Sequence, residues 1–350
     1  MGARPDTPLP PPPHTGRRDR SRASLAAASR YTPLVTPLAR HHSTAFLATA
    51  VLLALGWLAI GPSVSGQAAV LVLLGGALVL GLPHGALDLW IAGRQGMLQG
   101  ARGWLGFHAG YLAIAGLVVA AFLLAPGFAL LGFLLLSLWH FADDWAARGG
   151  KGGLPKPIAI GCASAIVLVP TAAHPGEVAA IFAAIMGEPV PDLGGARYLA
   201  GLTTGWVVGG SLVAAVAIDR RAGLEAAAVA LLAFVLPPLA FFAAYFTLLH
   251  GPRHLIRHGA LTGGRHGRIT LAAYAALAFA LVAGLGVWLA RAEPQALGAE
   301  AIRAAFVGLA ALTVPHALLL ERDKRLFLKS LSLTGATDRN SDEASRRVTL

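Results

Sequence analysis

The chain has 350 residues, of which 56% are apolar and only 13% charged, about half the charged share usual for soluble proteins. Its apolar residues form stretches that reach the roughly 20 residues needed to cross a bilayer core, which excludes a large soluble α/β enzyme and points to a polytopic membrane protein. The lone Cys162 excludes a disulfide scaffold. The net charge of +11 includes seven arginines within residues 1–40, a flank of the kind that sets membrane topology rather than one that binds nucleic acid.

Residues 1–43 hold the run Pro10 to Pro13 and then Arg17, Arg18, Arg20 and Arg22 among Ser and Ala. They read as a disordered, basic, cytoplasmic tail. No apolar region precedes Ala45, so the first run reads as a retained helix rather than a cleaved leader. Apolar segments follow at 44–61, 66–91, 104–125, 127–147, 157–173, 198–218, 222–249, 269–291 and 301–320. Residues 174–197, with Glu177, Glu188, Asp192 and several prolines, read as an external loop, and 323–350 as a polar, disordered tail. The predicted fold is therefore all-α: a transmembrane helical bundle over 44–322 with eight to ten crossings.

One segment conflicts with the charge rule. Taking 222–249 as a single crossing puts Arg253, Arg257, Arg265 and Arg268 on the outer side, where cations are disfavoured. Pro237 and Pro238 stand in its middle and must break or kink it. A broken or re-entrant segment there restores the rule and returns His250 to the cytoplasmic side.

Twelve histidines are present. His14, His41 and His42 fall in the tail, His258 and His266 in a basic loop, and His174 in the acidic one, where solvated roles suit them. His108, near the start of a crossing, reads as an interfacial or core residue. Four others sit in or at the ends of apolar runs: His84 in GLPHGALDL, His140 in LWHFADDW, and His250 and His254 in LLHGPRHL. Ionisable groups at membrane depth are costly and mark functional sites by default. His250 and His254 stand at i and i+4, on one helix face, provided Pro252 lies in the first turn. Asp88 follows His84 by four residues, and Asp143 and Asp144 follow His140 by three and four. Such acids suit the second nitrogen of a ligating imidazole, on their own or a neighbouring helix. Pro83 adds a kink before His84. The alternative for each histidine singly is a hydrogen bond between helices. All-imidazole sites suit Zn, Cu or Fe, and with no cysteine nearby a redox-active iron is favoured over structural zinc. His316, in VPHALLLERD, is not counted as a ligand and reads as second shell, substrate-facing or interfacial. Phe141, Phe242 and Tyr245 are candidates to line a slot for a long, flat, apolar substrate.

The motifs GLPHGALDL, WHFADDW, HGPRHL and PHALLLER, in that order over about residues 44–322, resemble the Brp/Blh family of integral-membrane β-carotene 15,15′-dioxygenases. The resemblance implies central cleavage of β-carotene with O2 to two molecules of all-trans-retinal. It implies ferrous iron, Fe(2+), held by His84, His140, His250 and His254. Asp88, Asp143 and Asp144 are then expected to orient ligands and balance charge, with Arg253 paired to one of them, and the resemblance implies that the enzyme lies in the cell (inner) membrane and that a retinal-binding rhodopsin receives the product. Two rivals remain open. A desaturase or hydroxylase with paired irons needs several HxxxH or HxxHH clusters, whereas one HxxxH is present; a transporter or haem-binding carrier needs only paired helix histidines.

Overall fold

Every regular element among the described residues is a helix, apart from one isolated bridge between Ala146 and Leu154. The computed structural model describes residues 18–60, 87–146, 153–190, 201–258 and 297–348, with residue 85 and isolated positions between 264 and 276. The described helices are α1 (Arg18–Ile60), α2 (Asp88–Arg94), α3 (Gly100–Leu124), α4 (Pro126–Phe141), α5 (Lys156–Ala173), α6 (Pro175–Met186), α7 (Gly201–Ile218), α8 (Arg220–Val235), α9 (Pro238–Tyr245), α10 (Gly251–His258) and α11 (Leu297–Val348). Among the described residues, six helical stretches are long and apolar enough to cross a membrane: Pro37–Ala59, Gly100–Leu124, Pro126–Asp144, Lys156–Ala173, Gly201–Ile218 and Ile302–Leu326. Their outward side chains include Leu124 at 85%, Phe128 at 83% and Trp206 at 81% exposure. So much apolar surface is stable against lipid and not against water. The molecule is a helical membrane protein. The expected segments 66–91 and 269–291 fall mostly outside the described residues.

Helix ends follow local chemistry. Proline in the first turn of α4, α5, α6 and α9 has a preset φ and no N–H to leave unpaired. Asp219 caps α8, accepting from the amides of Arg221 and Ala222 at 3.1 Å each, a contribution of about 1 kcal/mol. Three boundaries differ from expectation. Residues 18–43 continue into α1 as helix, because SRASLAAASR is rich in good helix formers, and Ser43 is buried beneath α8. Pro175–Met186 is a helix within the expected loop 174–197, started by Pro175 and closed at Gly187 with φ 74°. Residues 323–348 extend α11, since Glu, Arg, Lys and Leu also favour helix.

The segment 222–249 is broken where expected. Leu236, preceding a proline, adopts φ −90°, ψ 148°, and α9 restarts at Pro238. The chain then turns back. Arg253 Nη2 lies 2.8 Å from Glu225 Oε2 on the first turns of α8, so the two limbs begin and end at one level. Each limb is shorter than the roughly 20 residues of a full crossing.

The largest core cluster joins α1, α4, α5, α7, α8 and α9 through residues such as Phe46, Phe141, Cys162, Val208, Val229 and Phe241. A second, with Phe122, Leu130, Ile185 and Ala310, joins α3, α4, α6 and α11. Close approach of helices needs glycine at Gly161 and Gly223 among the described residues. A Cβ at Gly161 would fall 1.9 Å from Ser211 Oγ, and one at Gly223 would fall 2.5 Å from the Val216 backbone nitrogen. Small residues at such crossings let helix backbones meet, as membrane bundles require.

Candidate metal centre

Four imidazoles from three regions of sequence meet at one end of the bundle. His140 comes from the last turn of α4, His250 from a π turn (Phe246–His250) that follows α9, His254 from α10 and His316 from α11. They are between 2 and 5% exposed, and their Nε2 atoms are buried. Ring centroids lie 5.1 Å apart for His140 and His250, 5.3 Å for His140 and His316, and 5.0 Å for His254 and His316. A nitrogen bound about 2.1 Å from a metal puts its ring centroid about 3.2 Å out, so two ligands roughly 105° apart have centroids about 5 Å apart. The spacing is compatible with ligands to one ion, and is also that of rings packed edge to face. As placed, no three described His, Cys, Asp or Glu side chains form a closed ligand set. The rings pack edge to face rather than around a common point.

The carboxylates decide the chemistry of the nitrogens. Asp88 Oδ1 lies 2.6 Å from His316 Nδ1, and its Oδ2 accepts from the Tyr111 hydroxyl at 3.0 Å. Asp144 Oδ2 lies 3.0 Å from His250 Nδ1 and accepts from the Tyr245 hydroxyl at 2.7 Å. A carboxylate only accepts, so Nδ1 must donate and Nε2 keeps its lone pair. Two tyrosine–aspartate–histidine chains of the same composition thus converge on the cluster. This is the second shell a metal-binding imidazole ordinarily has, and the donor set fits a divalent transition metal.

The structure selects among the partners that the sequence left open. Asp88 serves His316, and Asp144 serves His250 rather than His140. Asp143 faces Lys156 at 2.7 Å and also Lys324. Arg253 takes Glu225 as its carboxylate and donates to the main-chain oxygen of Asp144 at 2.7 Å. Arg257 approaches Asp144 Oδ1 at 3.5 Å. Tyr245 is fully buried with its hydroxyl on Asp144, whereas Phe141 and Phe242 line an apolar cavity. His84 and Pro83 lie outside the described residues.

Sequence reasoning missed four contributors. Tyr111 is a hydroxyl within an apolar run, and Glu225 an acid within another; membrane depth could have flagged both. His258 lies on α10 rather than in a loop, with its ring 4.5 Å from His254, at a spacing of i+8 from His250 that was legible. Burial, reinforced by Arg257, pushes its imidazole down to about 3, so it is neutral at ordinary pH. His42 is no tail residue: its Nε2 donates to the Leu248 carbonyl at 2.9 Å. That carbonyl is the one Pro252, lacking an N–H, cannot serve.

The comparisons bear on this arrangement. A family model described as beta-carotene 15,15'-dioxygenase matches residues 75–322. The chain belongs to the β-carotene 15,15′-dioxygenase family. Beta-carotene 15,15'-dioxygenase of the uncultured marine bacterium 66A03 is 30% identical over 256 residues, covering 69% of this chain and 89% of that relative. A Halobacterium salinarum protein named "Probable beta-carotene 15,15'-dioxygenase Blh" is 28% identical over 319 residues, covering 75% and 89%. No solved structure matches the chain. The family region contains His84, His140, His250, His254 and His316, both tyrosine–aspartate–histidine chains and the re-entrant hairpin.

Proposed function

We propose that this family member splits the central double bond of β-carotene with O2 to give two molecules of all-trans-retinal. The observation that carries the reading is the buried cluster of His140, His250, His254 and His316 at one end of an apolar cavity, in a family named for that reaction. His140, His250 and His254 are the core of the ligand set. His84, from the sequence pattern, and His316, from its place between His140 and His254, complete it. Ferrous iron, Fe(2+), bound there supplies the redox partner that lets ground-state dioxygen react with a closed-shell polyene.

The reaction balances without a general acid or base. Each carbon of the central double bond takes one oxygen atom, the carbon–carbon bond breaks, and dioxygen accepts four electrons from carbon. No proton, water or outside reductant enters. The protein's part is therefore to position and exclude. Asp88 and Asp144 hold the rings of His316 and His250 in the tautomer that leaves Nε2 for the metal. Arg253 and Arg257 offset the charge at Asp144. Phe141, packed 4.9 Å from His250, closes the cluster toward the cavity. The substrate enters from lipid, where it is already dissolved, and the product passes to a retinal-binding rhodopsin. The chain resides in the cell membrane with its N-terminus in the cytoplasm.

The test uses bacteria that accumulate β-carotene. The full chain and its His250→Ala variant are expressed, and carotene and retinal are quantified by chromatography. Retinal is expected at the expense of carotene with the intact histidine only. Unchanged carotene in cells where the intact chain is folded in the membrane refutes the assignment.

A further inference from the structure

An apolar cavity of about 90 Å³, open on one side so that a longer ligand can extend beyond it, lies between α4, α5, α6, α9 and α11. Leu130, Leu134, Ser137 and Phe141 line it along one face of α4, and His140 lies one turn beyond Ser137 on that helix. From Leu130 to His140 the face runs about 15 Å at 1.5 Å per residue, a length suited to an extended chain rather than a compact ligand. Phe141 forms the shared wall, touching the cavity on one side and His250 on the other.

Ser137 stands out within this lining. It is 3% exposed, and among the described residues its hydroxyl meets no hydrogen-bond partner. An unmet buried hydroxyl costs about 1–3 kcal/mol, so stability alone favours alanine here. The cavity's other hydroxyl, on Thr171, is taken by the Val167 carbonyl at 2.7 Å. Only Ser137, of these two, is left to address a ligand, and it does so at the histidine end.

We propose that this cavity seats one half of the polyene, and that the Ser137 hydroxyl donates a hydrogen bond to the aldehyde oxygen formed at the cleaved carbon. This rests on the carotene-cleaving reading. The position follows from that reaction: the cleaved bond must lie by the histidines, so the new oxygen appears at the His140 end of this face, where Ser137 stands, while the ring lies toward Leu130. Ser137 is a substrate-contacting residue that recognises product-like oxygen and does not serve iron.

The test uses the detergent-solubilised full chain with all-trans-retinal as probe. Wild type is expected to bind retinal with its carbonyl stretch lowered by a hydrogen bond. Ser137→Ala restores the frequency of the unbonded aldehyde and weakens binding about three- to tenfold, with a melting temperature equal to or above wild type. Ser137→Thr recovers the lowered frequency. Leu134→Trp, which fills the cavity, abolishes retinal binding while iron content is retained. A carbonyl frequency indifferent to Ser137, or full binding by Leu134→Trp, overturns the proposal. Carotene cleavage is measured in parallel. Cleavage with retinal binding indifferent to both positions removes this subsite alone. Binding dependent on Ser137 in a chain that cleaves no carotene keeps the subsite and overturns the dioxygenase reading.

Discussion

Replacing Asp88 by leucine isolates the least expected part of the site. Asp88 is 4% exposed and bonds His316 at 2.6 Å and Tyr111 at 3.0 Å. Among the described residues it has no Arg or Lys salt bridge, so its loss strands no cation. A hydrogen bond to a charged group contributes about 1.5–3 kcal/mol, and loss of a second-shell partner typically lowers metal affinity by about 10–100-fold, or about 1.4–2.8 kcal/mol. The two routes agree, so Asp88→Leu is expected to weaken iron binding by one to two orders of magnitude. Asp88→Asn retains shape and one acceptor, and the Tyr111 hydroxyl can turn to the Leu312 carbonyl at 3.2 Å. Its loss should be about tenfold or less. The assay is anaerobic iron titration of the purified full chain against a chromophoric chelator, with thermal unfolding alongside. In the double variant with His316→Ala, the Asp88→Leu effect should largely disappear, because both act through one ring. Iron affinity unchanged in Asp88→Leu and in His316→Ala, while His254→Ala loses iron, would show that His316 only packs and would refute the reasoning.

Three further outcomes follow from the packing. Glu225→Gln leaves Arg253 without its buried carboxylate and should lower stability by about 3–5 kcal/mol, whereas Glu225→Leu with Arg253→Met should recover most of that in detergent melts. Gly223→Ala drives a Cβ to within 2.6 Å of the Val216 Cα and should cost about 1–3 kcal/mol. Gly56→Ala, with nothing within 4 Å, should be neutral in the same melts. His42→Ala leaves the Leu248 carbonyl beside Pro252 without its donor and should cost about 1–3 kcal/mol. An unchanged melting temperature would show that the carbonyl has another partner.

Much of the architecture was legible because it rests on local properties. Membrane helices announce themselves by unbroken apolar length, and Pro237-Pro238 by the chemistry of a ring that cannot join a helix. The hairpin was legible only by combining that break with the cationic residues Arg253 and Arg257, and Arg253 then proves to be paired with Glu225. The disorder expected before Ala45 was less secure. It leaned on charge and the proline run, whereas the Ala-rich stretch after Arg18 has strong helix propensity, and Ser43 is held by Arg221 at 2.7 Å. The helix at Pro175–Met186 was obscured by flanking prolines and acids that suit a loop equally well.

The sequence by itself determined that costly imidazoles and acids stand together at the ends of apolar runs, and that a metal site was their economical explanation. Only the tertiary structure decided which acid serves which ring. Spacing of i+3 or i+4 places an acid beside the histidine of its own helix, yet neighbours on one face project side by side toward the next helix. The hydrogen bond therefore forms across the interface: Asp144 with His250 between α4 and the hairpin, and Asp88 with His316 across 228 residues of chain. No periodicity records that choice, because it depends on which helices pack together, and that is set by the whole bundle.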